Sequence, residues 1–307
     1  MNRRSKGVSV HGWVVLDKAR GMTSTQAVSA VRRLFNARKA GHAGTLDPLA
    51  TGILPIALGE ATKTVSFVMD GLKAYRFTAR WGAETDTDDA EGAVTATSDR
   101  LPEAAAIRAL IPRFTGLISQ VPPRYSAVKI DGQRAYDLAR EGEAVKLEAR
   151  LVSIDDLRLV ELPDRATAVF EAQCGKGTYV RALVRDIGRL LGCYGHVLAL
   201  RRTRVGPFSE EQAITLHGLQ ELAGEDDSLG ALSRVLLPVE TALAELDALN
   251  VSPADASRLA NGQPVLLRGR DAPIRSGPAF ALSHGRPVAI CEIEAGELRP
   301  LRVFNWT

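Results

Sequence analysis

Cysteine, histidine and aromatic residues are scarce in this 307-residue chain, which has three Cys, five His and 5% aromatic residues. Cys174, Cys193 and Cys291 lie far apart without metal-ligand spacing. An odd, sparse count fits reduced thiols in a cytosol, not a disulfide framework. His11, His42, His196, His217 and His284 make no zinc pattern. No apolar run reaches the roughly 18 residues of a transmembrane helix. Near the start, the only apolar run is 13–16, too short for a secretory segment. Neither Gly-x-x-x-x-Gly-Lys-[Ser/Thr] nor Gly-x-Gly-x-x-Gly occurs, so nucleotide and dinucleotide cofactors find no support. Residues 86–92 resemble a calcium loop only loosely, with Ala90 and Glu91 where an oxygen ligand and Gly are needed. Self-similarity at about 20–50 residues, the mark of repeat arrays, is missing. These absences predict a cytoplasmic protein with no membrane contact, metal or cofactor.

What is present is an ordinary globular composition, 45% hydrophobic, long enough for two domains. The net charge of +3 hides strong segregation. Residues 1–40 carry nine basic residues against Asp17, and 174–206 carry seven against Asp186. Residues 82–103 carry seven acids against Arg100, and 207–261 carry ten against Arg234 and Arg258. Two basic segments on a near-neutral chain can form a face that attracts polyanions. Solvated helix faces explain the charge runs equally well.

The chain reads as a mixed α/β (α+β) protein. Helices are predicted over 22–35, 60–69 and 103–111, and from Gly177 to a stop at Gly192. In the last of these, Arg181, Arg185 and Arg189 fall at helical spacing and predict a basic stripe opposite the apolar face. Strands are predicted over 53–58, 75–81, 156–162, 167–174 and 197–205. In the second, Tyr75, Phe77, Ala79 and Trp81 alternate with Arg76, Thr78 and Arg80. Residues 36–52 and 82–92 read as loops, 122–150 as a polar excursion, and 207–247 as an acidic helical boundary. Beyond it, short strands between Gly and Pro turns suggest a small β module over 248–307.

Three segments carry the chemistry. Lys39-Ala40-Gly41-His42-Ala43-Gly44-Thr45-Leu46-Asp47-Pro48-Leu49-Ala50-Thr51-Gly52 sets a histidine and a carboxylate in a Gly-rich bend. Pro48 restricts Asp47 to an extended backbone and so aims its side chain. Taken alone, such a turn is also common loop chemistry. Tyr75 opens a strand, where an aromatic is usually core. Lys176-Gly177-Thr178-Tyr179-Val180-Arg181 places an aromatic and an arginine at a helix start, and its Gly-flanked Lys176 makes a generic anion site.

Together with Ile53-Leu54-Pro55, Gly59-Glu60-Ala61-Thr62-Lys63, Thr85-Asp86-Thr87-Asp88 and Tyr125-Ser126-Ala127-Val128-Lys129, these segments resemble the tRNA pseudouridine synthase B family. The resemblance covers about residues 11–205, with a weaker PUA-like tail after about 250. One departure is Ala19, where the family usually has Pro after the residue equivalent to Lys18. The resemblance implies a pseudouridine-synthase-like catalytic domain with a central mixed sheet over 1–247. It implies an RNA-gripping excursion at 122–150 and a PUA-like RNA-binding module at 248–307. The implied activity is isomerisation of uridine 55 in the tRNA T loop, with no cofactor, by a monomer.

The resemblance makes Asp47 the catalytic carboxylate, paired with Arg181. Tyr75 and Tyr179 pack on the flipped uracil, Leu200 lines the pocket, and His42 fills the space the base leaves. Lys18, Lys176 and Arg202 are expected substrate contacts, and the stripe Arg181, Arg185, Arg189 and the cluster Arg201, Arg202, Arg204 are expected to meet phosphates. Apolar walls at Tyr75, Tyr179 and Leu200 should keep water from the reacting centre. Two other readings stand beside it: a non-catalytic structured-RNA-binding protein, and a metal-dependent hydrolase using Asp47, Asp86 and Asp88.

Overall fold

The computed structural model describes residues 7–126, 128–130, 133–134, 147–267 and 276–306. Most of the excursion expected at 122–150, including Ala127 of a quoted motif, lies outside the described residues.

Ten strands form the main sheet. Its path runs Ile214–Thr215, Gly12–Lys18, Thr51–Leu58, Gly195–Val205, Lys73–Trp81, Thr167–Cys174, Arg150–Asp164, Gly116–Gln120. Ala40–His42 pairs with Thr51–Leu58, and Phe208–Ser209 with Gly195–Val205. The sheet is mixed: Gly195–Val205 runs parallel to Thr51–Leu58 and antiparallel to Lys73–Trp81. Only two residue pairs, Thr51↔Arg201 and Gly52↔Arg202, make the parallel junction.

Alternation decides the faces. Phe77, Ala79 and Trp81 share one face with Phe170 and Ala172, and Phe77 stacks on Phe170 at 5.4 Å between ring centroids. The helix Val180–Leu191 covers this face with Val180, Leu183, Val184 and Ile187. Burial of each such side chain is worth about 1.5–3 kcal/mol. The helix ends where Gly192 adopts φ 68°, as predicted. The helix Ser24–Leu34 begins with a capping box between Thr23 and Gln26.

Several expectations change. Residues 13–16 form the heart of a central strand that the sequence reading left unassigned. Trp13 and Val15 enter one core and Val14 and Leu16 the other, so burial on both faces erases the alternation. The helix expected over 60–69 divides into the 3-10 turn Gly59–Lys63 and the helix Val65–Asp70. Residues 207–247 are no loose boundary. Ile214–Thr215 joins the sheet, and Leu219 and Leu232 enter the main core. The basic stripe is not a solvent face, because Arg181 and Arg185 are both buried.

A second sheet runs Asp247–Asn250, Gly277–Ser283, Arg286–Glu294, Glu297–Val303, Val265–Leu266. The helix Pro253–Ala260, absent from the sequence reading, inserts Leu259 into its core. Phe280, Ile290 and Phe304 of this β-rich segment share a core with Trp13, Val15, Ile53 and Phe208. The segment therefore packs on the main-sheet face opposite the Val180–Leu191 helix. No helix among the described residues is long and apolar enough to cross a membrane.

Candidate functional site

The Gly-rich segment leaves Ala40–His42, buries Leu46, Leu49 and Ala50 in the main core, and re-enters the sheet at Thr51. Its course is pinned by side chains from other elements. Ser24 Oγ donates to the Leu46 carbonyl at 3.0 Å and accepts from its amide at 2.9 Å. The Pro48 carbonyl accepts from the Gly21 amide at 2.7 Å and from Lys18 Nζ at 3.4 Å. Asp47 therefore sits at the apex of a braced loop.

Its carboxylate faces a fixed cation. Arg181 Nη2 lies 2.9 Å from Asp47 Oδ2. Arg181 also donates to the Thr87 carbonyl at 2.9 Å and the Tyr125 carbonyl at 3.0 Å, with Asp89 Oδ2 at 3.6 Å. The guanidinium side chain is 7% exposed, whereas that of Asp47 is 37% exposed. A buried arginine with several partners is the rigid member of the pair, so it orients the carboxylate. Asp47 is not sealed from water by the protein alone.

Two phenols flank this pair. The Tyr179 amide donates to Gln120 Oε1 at 2.8 Å, and its carbonyl accepts from Gln120 Nε2 at 3.1 Å. This clamp holds the residue at the helix start. Burial pushes the Tyr179 hydroxyl pKa up, and nearby Ser126 opposes the rise. Burial likewise raises that of Tyr75, against the charge of Arg202. Both phenols feel the Asp47 charge and stay protonated at neutral pH. Leu200 pairs with Phe77 and Arg202 with Tyr75, which places Leu200 diagonally beside Tyr75 on the same face. An open depression of about 500 Å³ adjoins Leu200 and is also lined by Leu49, Phe77, Arg20 and Arg76. His42 is half-buried, with its Nδ1 buried and unpartnered. Burial and the Arg202 charge lower its pKa, so the ring is neutral.

Asp47, Arg181, Tyr75, Tyr179 and Leu200 thus converge. Lys18 and Arg202 come close as well, but underneath, which corrects their expected place on the substrate. Lys18 is fully buried, and its ammonium donates to the Ala19 and Met22 carbonyls at 2.9 and 2.8 Å. Burial lowers its pKa to about 8, with Asp47 opposing the shift. Arg202 donates to three main-chain carbonyls. Lys176 is not brought to the cluster; it is exposed and pairs with Asp70 at 2.7 Å.

Of the expected phosphate contacts, Arg181, Arg185 and Arg202 are buried, whereas Arg189, Arg201 and Arg204 stay at least partly exposed, and all six have partners within the protein. Arg185 pairs with Asp88 at 3.0 Å and Asp186 at 2.8 Å, and Arg189 makes two bonds to Glu84 at 2.7 and 2.6 Å. Arg201 holds Asp17 and Glu210, and Arg204 donates to the Gly206 carbonyl. Of these four only Arg185 is buried, and a guanidinium taken out of water requires such partners. Burial pushes the Asp88 pKa up to about 6 although Arg185 pulls it down.

Asp88, Asp89 and Gln120 are supporting residues that the sequence reading missed. For the two acids a signal existed, since the Thr85-Asp86-Thr87-Asp88 motif and the adjoining Asp89 supply charge opposite to a buried arginine pair. Gln120 offered none. Among the described residues, no group of three or more His, Cys, Asp or Glu side chains is placed to hold a metal.

Comparison with known proteins agrees with this geometry. The N-terminal domain profile of TruB family pseudouridylate synthases matches residues 32–180. The C-terminal domain profile of tRNA pseudouridylate synthase B matches 181–244. The tRNA pseudouridine synthase B of Rhodopseudomonas palustris is 64% identical over 306 residues, covering 99% of this chain and 83% of the relative. The Agrobacterium fabrum protein of the same name is 54% identical over 307 residues, covering 99% of this chain and 98% of the relative. Among solved structures, a chain of a Cbf5–Nop10–Gar1 complex is similar at TM-score 0.75 and 26% identity, over 97% of this chain and 85% of that one. The Asp47 loop, the Arg181 helix and the sheet between them lie within the matched regions, and the chain belongs to the TruB family of pseudouridylate synthases.

Proposed function

We propose that this chain converts uridine 55 in the T loop of tRNA to pseudouridine. The observation that carries the reading is the Asp47 carboxylate, 2.9 Å from a buried Arg181 and flanked by Tyr75 and Tyr179. The similarity to proteins named tRNA pseudouridine synthase B supports tRNA as the substrate class.

The reaction breaks the bond between ribose C1′ and uracil N1, turns the base, and joins C1′ to C5. The proton on C5 leaves and N1 gains one, so no atoms are gained or lost overall. Asp47 either adds to C1′ or stabilises positive charge there, as carboxylates do in glycoside chemistry, or it adds to uracil C6. In each case the side chain acts as an anion, and Arg181 supports that form. Neutral Tyr75 and Tyr179 with Leu200 supply a wall for a planar base. The target must leave its stack to reach Asp47, and His42 is placed to occupy the gap. Because Asp47 is partly open, the bound RNA itself completes the exclusion of water. Among the exposed cations we assign Lys176 to a phosphate. The β-rich segment after 247 and the 122–150 region grip the T arm by shape. The enzyme acts as a cytoplasmic monomer.

The test is a T-arm hairpin transcript assayed for pseudouridine. Asp47→Asn should bind the hairpin with wild-type affinity and form no product. Near-normal conversion by the variant rejects the role of Asp47. Wild-type binding without any base change would instead favour the non-catalytic RNA-binding reading.

A further inference from the structure

The signature loop is wrapped around a single buried cation. Arg202 is 2% exposed, and its three kinds of nitrogen go to different parts of the loop. Nη2 donates to the Gly44 carbonyl and Nη1 to the Thr45 carbonyl, each at 3.2 Å, and Nε donates to the Ile53 carbonyl at 2.8 Å. Gly44 and Thr45 lie on the limb that leads into Asp47, and Ile53 lies on the limb that leads out. One planar group therefore ties both limbs together beneath the apex. Among the described residues no carboxylate lies within ion-pair distance of it, so carbonyl dipoles alone compensate the charge. That is a costly arrangement for a residue that only fills space.

Arg202 also faces Tyr75. The two are register partners on neighbouring strands, and the guanidinium charge opposes the rise that burial imposes on the Tyr75 hydroxyl pKa.

We propose that Arg202 is a positioning residue of the pseudouridine reaction: its fork ties both limbs of the Asp47 loop and so fixes the carboxylate against the Tyr75 hydroxyl. The inference rests on the function proposed above.

Arg202→Lys keeps the charge but loses the planar fork, and cannot hold both limbs at once. On the T-arm hairpin we expect kcat to fall about 10²-fold, the scale of a 1 Å misplacement, with KM within about threefold of wild type. Tyr75→Phe and the double variant complete a thermodynamic cycle. If Arg202 acts through Tyr75, the double variant is no slower than the slower single variant. Losses that multiply in the double variant overturn the proposal, as does an Arg202→Lys enzyme with wild-type kcat. Arg202→Gln, which removes the buried charge, serves in the same cycle if Arg202→Lys does not fold. Failure of both to fold makes Arg202 a purely structural residue and also overturns it. Failure of the wild-type enzyme to convert the hairpin would refute the proposed substrate instead, independently of the cycle.

Discussion

Gly52→Ala tests how the site is assembled. Gly52 has φ +97°, and a Cβ there would stand 2.2 Å from the Arg202 carbonyl oxygen and 3.0 Å from the Arg202 nitrogen and carbonyl carbon. Those atoms are main chain and have no rotamer through which to escape. Restoring an ordinary contact requires the two strands to part by about 1 Å, since Cβ contacts closer than roughly 3.2 Å are rare. The parallel junction consists of two residue pairs, so apart from the Arg202 fork few hydrogen bonds resist the shift. The backbone conformation adds about 1–2 kcal/mol for any residue with a Cβ. That alone should lower Tm by several degrees, at about 2–4 °C per kcal/mol for a large domain. The displaced strands carry Asp47 on one side and Leu200 on the other. A shift of about 1 Å between reacting groups costs on the order of 10²-fold in turnover. Neighbouring glycines calibrate the effect. Gly44 has φ +95°, but its nearest neighbour to a new Cβ is Arg202 Nη1 at 3.7 Å, and Gly41 has neither feature. Thermal melts and single-turnover conversion of a T-arm hairpin should rank the alanine variants with Gly52 worst in both. In Tm, Gly44 should fall between and Gly41 near wild type. Equal Tm losses at Gly41 and Gly52, or normal turnover by Gly52→Ala, would refute this reasoning.

Arg185→Met should destabilise the fold by roughly 3–5 kcal/mol in urea titrations, because it strands a buried Asp88. Adding Asp88→Asn should recover much of that loss, and a single variant costing under about 1 kcal/mol would contradict the pairing. Lys18 yields a pH prediction. Its folded pKa of about 8 lies below its ordinary 10.5, so between these values the unfolded chain holds a proton that the folded chain has released. Stability from this group rises with pH across that window and is lost as pH falls through about 8. The stability advantage of wild type over Lys18→Met should therefore grow between pH 7 and 10, and a constant difference would refute the assignment.

Much of the architecture was legible because local patterns survive folding. Helical spacing from Val180 to Leu191 with a terminal Gly192, the Thr23 cap and the alternation around Tyr75 all correspond to observed elements. Residues 13–16 were illegible as a strand because burial on two faces leaves no period to read. The helix Pro253–Ala260 was hidden because much of it is exposed and only Leu259 is buried.

The same division runs through the site. By themselves, the residues determined which side chains are chemically able to act: a carboxylate aimed by Pro48, a glycine-bounded bend, and an aromatic and an arginine at one helix start. Only the tertiary structure decided which arginines are free to meet a polyanion. Arg181, Arg185 and Arg202 read as one kind of residue in the chain, yet in the fold they orient a carboxylate, neutralise Asp88 and brace a loop. Spacing along a chain reports which face a charge lies on. Whether that face meets water depends on segments more than fifty residues away, and a guanidinium enclosed by them must find partners there.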